Sequence, residues 1–479
     1  MFNRTLIATV ILGSSLLTAC GSDGSSDDDS MSESSSVFSS FPAEGSFLPY
    51  SILRADLIDA RSQQPFEIRN GGFGSAMTGH PSEPGQFYAL TDRGPNASYS
   101  SGSLGSGKIF PTPDYTPRIG RFEVQADGAI VLLETILLKR PDGSLITGLP
   151  NTSALGGTGE TPYNADGNPV VVDQSQPYDE TTNPLRLDDY GLDGEGLAAL
   201  ADGSFWVSDE YGPHMVHFDA EGKEIDRINP FAADTRVSHN LPAEFANRRA
   251  NRGMEGLAVT PDGKTLVGIM QSTMAHPDSS VQNQTITRIV TIKPETGEVA
   301  QYLYKQEKNA NSNSELLALS ATEFLVLERD GSFLYGGPGG ASAANPAAQK
   351  QVYRIDLSTG TNLEAVADSG DLAQDPDLGL TISGQTLEQA VLAGGWDSLS
   401  AQGIVPVSKT LVVDMVAEVN YPHDKMEGLW KIDENHLGVL NDDDFATWST
   451  SNQLEQKMLD SNTIDGNRLY VVEADLSVE

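Results

Sequence analysis

One unit recurs along this chain, and it constrains the fold more than any other feature. "DGEGLAALADGSFWVSDE" (193–210), "GMEGLAVTPDGKTLVGIMQS" (253–272) and "KMEGLWKIDENHLGVLNDDD" (425–444) share a carboxylate, Gly and Leu, a short apolar run, a polar turn, a second apolar run and a polar end. "NSELLALSATEFLVLERDG" (313–331) and "GFGSAMTGHPSEPGQFYALTDRG" (72–94) fit the same frame more weakly, the latter with Gly in place of the leading acid. Each copy is followed by further strand-like runs, such as "MVHFDAEGKEIDRI" and "TRIVTIKPETGEVAQYLY". D-G and T-G turn dipeptides punctuate them. A four-stranded unit repeated along a chain is the blade of a β-propeller.

The expected fold is therefore all-β, a β-propeller of four-stranded blades, with five visible and six possible. The stretches 141–190 and 371–408 read as irregular insertions, either of which could hide a degenerate sixth blade. The last unit lacks its outermost strand, and "YSILRADLI" (50–58) is the expected donor that closes the ring. The rival architecture is a pair of β-sandwiches.

In a propeller the innermost strands line one axial channel, so equivalent positions gather there. Glu195, Glu255, Glu315 and Glu427 align as one ring, with Glu315 set apart because Leu316 follows it where the others have Gly. Asp92, Asp209, Glu210, Glu328, Asp442 and Asp443 end the second strands and form a second tier. Converging carboxylates repel unless protonated or bridged by cations. Oxygen-only ligands, with Gly allowing close backbone approach, suit Ca²⁺ better than a transition metal. The alternative is structural: carboxylates accepting backbone N–H groups at blade edges, and Arg93 in an ion pair between blades.

The segments "GLDGEGLAALADGSFWVSDEYGPH", "NRGMEGLAVTPDGKTLVGIMQS", "ALTDRGPN" and "KMEGLWKIDENHLGVLNDDDF" resemble the phytase-like family called "esterase-like activity of phytase", over most of residues 41–476. The resemblance implies a secreted or surface propeller whose Glu and Asp residues form a phosphomonoesterase or phosphodiesterase site. The matching positions are Asp92 and Arg93, Glu195, Asp209, Glu210 and His214, Glu255, and Glu427, Asn441, Asp442 and Asp444.

The resulting expectation is a Ca²⁺-dependent phosphoric ester hydrolase with Glu195, Asp209, Glu255, Glu427, Asp442 and Asp92 as metal ligands. Glu210 is the general base, Arg93 stabilises phosphoryl oxygens, His214 stands at a loop mouth in a catalytic role, and Tyr211 and Arg93 bind substrate. Two alternatives stay open: a lactonase- or esterase-like propeller hydrolase using one axial Ca²⁺, and a non-catalytic surface propeller binding a protein or glycan. "GSLGSGKI" (102–109) nearly matches a phosphate-binding loop, but Ile109 stands where Ser or Thr should hold Mg²⁺, so it reads as a flexible loop. The chain has no G-x-S-x-G and no H-E-x-x-H, which removes sequence support for serine-esterase and zinc-hydrolase mechanisms.

Charge narrows the partners. With 67 Asp plus Glu against 30 Lys plus Arg, the net charge is −37, a poor surface for nucleic acid. A small phosphoester or ester is the expected substrate. Residues 1–20 read as a lipoprotein signal peptide ending in "LTAC", with Cys20, the only cysteine, as the lipidated residue. Residues 21–40 read as a disordered Ser/Asp-rich tether and 41–479 as the propeller domain. Gly21 after Cys20 points to the outer membrane of a Gram-negative bacterium, with the lipid as the only membrane contact.

Overall fold

The computed structural model describes residues 37–478. The signal peptide, Cys20 and nearly all of the tether lie outside the described residues. Phe38, within the stretch read as tether, is buried, its ring edge-on to Trp430 at 5.5 Å between centroids. Among the described residues no helix is long and apolar enough to cross a membrane.

The fold is mostly β, built from many small sheets. Five of them are antiparallel meanders that begin on the repeat units, numbered here one to five in chain order. Their first strands are Ala76–Gly79, Gly194–Ala199, Met254–Val259, Ser312–Ala318 and Gly428–Lys431. Sheets one to four place their strands in the order in which the chain meets them, and sheet two adds a short fifth strand, His239–Asn240. The sheets pack face to face, so their second strands, such as Phe205–Asp209 and Leu266–Met270, are buried along their whole length. Tyr88 and Leu90 of sheet one meet Phe205 and Val207 of sheet two, and Trp206 and Met215 on the other face meet Leu257 and Val290 of sheet three. Ile269 then meets Val326 of sheet four, Leu327 meets Val439 of sheet five, and Trp430 meets Phe87 of sheet one. Burial on both faces explains the continuous rather than alternating apolar runs.

The first strands also pack against one another. Gly194–Ala199 lies against both Ala76–Gly79 and Met254–Val259, Ser312–Ala318 against Met254–Val259, and Gly428–Lys431 against both Ser312–Ala318 and Ala76–Gly79. Gly in the E-G-L motif is required by this approach. A Cβ on Gly196 would stand 2.7 Å from the Glu255 carbonyl oxygen, and one on Gly256 would stand 2.6 Å from the Glu315 carbonyl carbon. These glycines therefore serve the neighbouring strand, whereas the sequence reading assigned them to a bound cation.

Two expectations about connectivity need correcting. Ser51–Ile58 does not join sheet five; it pairs with Pro65–Asn70, and the edge of sheet five is the two-residue strand Ser46–Phe47. "GSLGSGKI" is not simply a loop, because Gly107–Ile109 is the middle strand of a three-stranded sheet with Ala97–Tyr99 and Thr161–Tyr163. The second stretch read as an insertion, 371–408, contributes a small sheet and the helix Leu387–Gly394. Glu388 of that helix grips buried Arg288 of sheet three through two bonds, at 2.8 and 3.0 Å.

Candidate functional site

Strand register decides which acids meet. In sheet two Gly194 faces Asp209 and Gly196 faces Ser208, so Glu195 is the extra residue of a β-bulge. Glu255 is bulged in the same way between Met254 and Gly256. In sheet four the bulge falls on Ser314, between Asn313 and Glu315. Glu315 thus stands at the position of Gly196 and Gly256, not at that of Glu195. Its carboxylate accepts the backbone N–H of Leu316 at 2.8 Å and of Leu257 at 3.3 Å, tying neighbouring first strands together. The expected ring of four glutamates is therefore three, with Ser314 in the fourth place.

The second tier divides for the same reason. Counting two residues beyond the partner of the post-bulge position gives Asp92, Glu210, Gln271, Arg329 and Asp442, one from each sheet. Asp209 and Glu328 precede this register by one residue and so face the other way. Asp209 accepts the backbone N–H of Asp193 at 2.8 Å and of Gly212 at 2.7 Å. Glu328 accepts from the Tyr304 hydroxyl at 2.7 Å and pairs with Lys409 at 2.6 Å. Asp443 likewise serves the backbone, accepting from Gly72 at 3.2 Å and Phe445 at 3.1 Å.

What remains converges on a pocket of ≈ 360 Å³ that includes Asp92, Asp193, Glu195, Glu210, Asp424 and Asp444 with Arg93, Lys108, Arg329 and Lys425 in its lining. Two carboxylate clusters here could hold a metal ion: Asp92 with Asp193 and Glu195, and Asp92 with Asp442 and Asp444, the ligand oxygens of each lying within 4.8 Å of one another. Asp92 belongs to both. The donor set is oxygen throughout, which fits a hard cation.

Asp444 reaches its place through an unusual turn. Asp444, Phe445 and Ala446 are consecutive left-handed residues, with φ of 49°, 57° and 59°. Such backbone costs on the order of 1–2 kcal/mol per residue and persists only where contacts over-determine it. Asp442 accepts the Asp444 N–H at 2.8 Å, Asp443 accepts that of Phe445, and Lys457 donates its backbone N–H to the Ala446 carbonyl at 2.8 Å.

The remaining expected residues fall as follows. Glu255 accepts two bonds from Gln271, at 2.7 and 2.8 Å, and Glu427 is bound by Arg329; among the described residues neither belongs to the two carboxylate clusters. Glu210 lines the pocket and accepts from Gln271 at 3.1 Å. Burial, then Glu255 and Asp193, push its carboxyl well above the usual range. Arg93 is already engaged, its Nη1 standing 3.2 Å from Glu160 and 3.3 Å from Asp193. Tyr211 does not face the pocket as a free hydroxyl: it is fully buried, donates to the Gly148 carbonyl at 2.7 Å, and puts its ring 5.6 Å from the Arg93 guanidinium. His214 is not at a loop mouth. It is 0% exposed, its Nε2 is 3.3 Å from Asn151 Oδ1, and burial holds it well below its ordinary pKa, hence neutral.

The sequence reading passed over Asp193, Gln271 and Lys457. Asp193 was legible, since it is the carboxylate that opens the second repeat unit, two residues before Glu195. Lys457 is 0% exposed and pairs with Asp424 at 3.0 Å, with Asp444, and with Asp465 at 3.6 Å. It lies outside the repeats and carries no sequence signal.

The buried acids make stability depend on pH. Burial raises Asp209 and Asp443 from 3.8 to about 7. An acid whose folded pKa is raised binds its proton more tightly when folded, so its stabilisation is complete below the unfolded value and is lost as pH rises through the folded one. Protein kept in chelator is expected to melt at progressively lower temperature from about pH 4 to about pH 7. Thermal unfolding across that range checks this, and a melting temperature that rises over the same interval would contradict it.

The family model described as phytase-like, esterase-like activity of phytase, matches residues 68–445. An uncharacterized secreted protein of Arthroderma benhamiae is 28% identical over 240 residues, which are 42% of this chain and 45% of that protein. The chain thus spans less than half the length of that curated relative. Among solved structures, the PQQ-bound aldose sugar dehydrogenase of Streptomyces coelicolor is 11% identical, with 90% of this chain and 99% of that one covered and a TM-score of 0.30. Selenomethionine-substituted virginiamycin B lyase of Staphylococcus aureus is 10% identical, with 84% and 96% covered and a TM-score of 0.27. With the match running from Ile68 to Phe445 and taking in all five repeat units, this chain belongs to the phytase-like family.

Proposed function

We propose that the protein is a secreted, metal-dependent hydrolase of phosphoric esters. The carrying observation is the pocket in which two oxygen-only clusters share Asp92 beside four basic side chains. We further read the five sheets as blades of one closed five-bladed propeller, the domain of residues 41–479, on the grounds that first-strand contacts and shared apolar cores succeed one another from sheet one to sheet five and back to sheet one.

On this reading Asp92, Asp193 and Glu195 hold a Ca²⁺-class ion. When bound, such an ion draws charge from the phosphoryl oxygens and reverses the local acidic field. Lys108 binds the phosphoryl group together with Arg93. Among the described residues Lys108 makes no ion pair, its Nζ donating only to Asn96 Oδ1 at 3.2 Å. Arg93, held in place by Glu160 and Asp193, presents its guanidinium to the same pocket. Water attacks phosphorus and the ester P–O bond breaks; the proton released by the attacking water returns to Glu210 and replaces the one that Glu210 gives to the leaving group. Glu210, kept protonated by its surroundings, gives its proton to the leaving oxygen, so the general-base role assigned from sequence becomes that of a general acid.

The test is hydrolysis of a panel of phosphomonoesters, phosphodiesters and lactones by purified protein, with Ca²⁺ and after chelation. Chelator-sensitive turnover of a phosphoester supports the reading. Turnover confined to uncharged lactones would favour the lactonase alternative, and no turnover the binding propeller.

Localisation belongs to the same proposal: lipidation at Cys20 and residence at the outer membrane. Cys20→Ala is expected to release the protein from the membrane fraction and alter its processing, as the lipidated terminus is the only proposed attachment. Fractionation followed by mass measurement of the amino terminus decides it. Unchanged membrane association and processing would remove the idea.

A further inference from the structure

The two clusters that meet at Asp92 differ in what faces them. Towards sheet two, Glu195 is 5% exposed and lines the pocket, and no hydrogen bond reaches its carboxylate among the described residues. Asp193 Oδ2 is buried with no hydrogen-bond donor, its nearest cation being Arg93 Nη1 at 3.3 Å. Towards sheet five, the Lys425 ammonium stands among the carboxylates, 2.7 Å from Asp442 Oδ2 and 2.8 Å from Asp444 Oδ1. Lys457 pairs with Asp444 as well. One cluster is thus satisfied by the chain's own cations, whereas the other has buried carboxylate oxygens and too few donors for them.

We infer that this is a one-cation site in which Lys425 is a built-in second cation. A single Ca²⁺-class ion binds Asp92, Asp193 and Glu195. The Lys425 ammonium holds the Asp92, Asp442 and Asp444 position that a two-metal hydrolase gives to its second ion. Spacing in the repeat supports the substitution: Lys425 stands two residues before Glu427, as Asp193 stands two before Glu195, so the fifth unit supplies an ammonium where the second supplies a carboxylate. The inference rests on the metal reading above, and it deepens that reading by placing an ion and an ammonium on either side of Asp92. A phosphoryl group in the pocket then meets one divalent ion and, besides Arg93 and Lys108, the Lys425 ammonium.

The experiment is Ca²⁺ stoichiometry of the purified chain, by titration calorimetry and by metal analysis after gel filtration, compared among variants. Glu195→Gln is expected to bind one ion fewer than wild type and Lys425→Met one more. Asp442→Asn should leave the wild-type count unchanged while abolishing the ion gained by Lys425→Met. Loss of an ion in Asp442→Asn alone would show that Lys425 yields to a second metal and would overturn the inference. So would a folded Lys425→Met, or the alternative Lys425→Gln, that gains no ion. The Asp442→Asn arm requires no change at Lys425, so it decides even where the lysine variants fail to fold. Because the readout is a count of ions, absence of phosphoesterase activity with the expected counts would sink the proposed reaction and leave this inference standing.

Discussion

Asp92→Asn is expected to lower phosphoesterase turnover by roughly 100-fold or more, beyond the ~10–100-fold typical of residues that only orient a ligand. Asp92 is the one residue common to both carboxylate clusters. The amide keeps the shape and the bond from the Gly94 N–H, 2.8 Å from Oδ1, but offers one neutral oxygen where the carboxylate offered two charged ones. The loss should appear in both turnover and Ca²⁺ affinity, measured as initial rates over a Ca²⁺ series. Asp209→Asn is the informative contrast. Asp209 is likewise a buried carboxylate, yet both its oxygens accept backbone N–H groups. Its replacement should lower stability while turnover per folded molecule stays near wild type. Equal losses of turnover at the two positions would return Asp209 to the metal site.

Lys457→Met carries the largest expected effect on stability. The ammonium is 0% exposed and faces three buried or half-buried carboxylates, those of Asp424, Asp444 and Asp465. Removing one partner from a buried ionic group leaves uncompensated charge and costs about 3–5 kcal/mol. His423 adds to the consequence, because its Nδ1 lies 2.7 Å from Asp465 and its Nε2 lies 2.9 Å from the Tyr470 hydroxyl. Urea unfolding checks the figure against Asp127→Asn in an exposed turn, for which a change within about 0.5 kcal/mol is expected. A Lys457→Met protein as stable as this control would mean that the carboxylates around it are protonated rather than paired.

Much of the fold was legible because the repeat is carried by local patterning. The E-G-L motif, the polar turn and the paired apolar runs identify the first two strands of sheets two, three and five, and the same spacing finds the weaker copies. Closing contacts were less legible. Ser46–Phe47 is too short to stand out beside the eight-residue apolar strand Ser51–Ile58, and which of them joins sheet five is settled by tertiary packing.

The site was legible in part for a related reason. Alignment of like letters placed Glu315 with Glu195, but a β-bulge shifts register by one residue, and one residue turns a side chain to the opposite face. Ser314, with no carboxylate to attract notice, holds the equivalent position. The same rule separates Glu210 from Asp209. Basic residues illustrate the other limit. Lys425 lies inside a repeat unit, two residues before Glu427 as Asp193 is before Glu195, and pairs with Asp442 at 2.7 Å. Lys108, on a short strand, and Lys457, in the segment after Glu455–Gln456, lie outside the repeats, and nothing in their local sequence says which sheet they will face.

The most direct test is the anomalous difference density of crystals soaked in Ca²⁺, with Tb³⁺ as a stronger scatterer. The expected result is one peak in the pocket, coordinated by Asp92, Asp193 and Glu195, and its disappearance in Glu195→Gln. A pocket without a peak at saturating ion, or a peak held by Asp209 or Glu255 instead, would contradict the account.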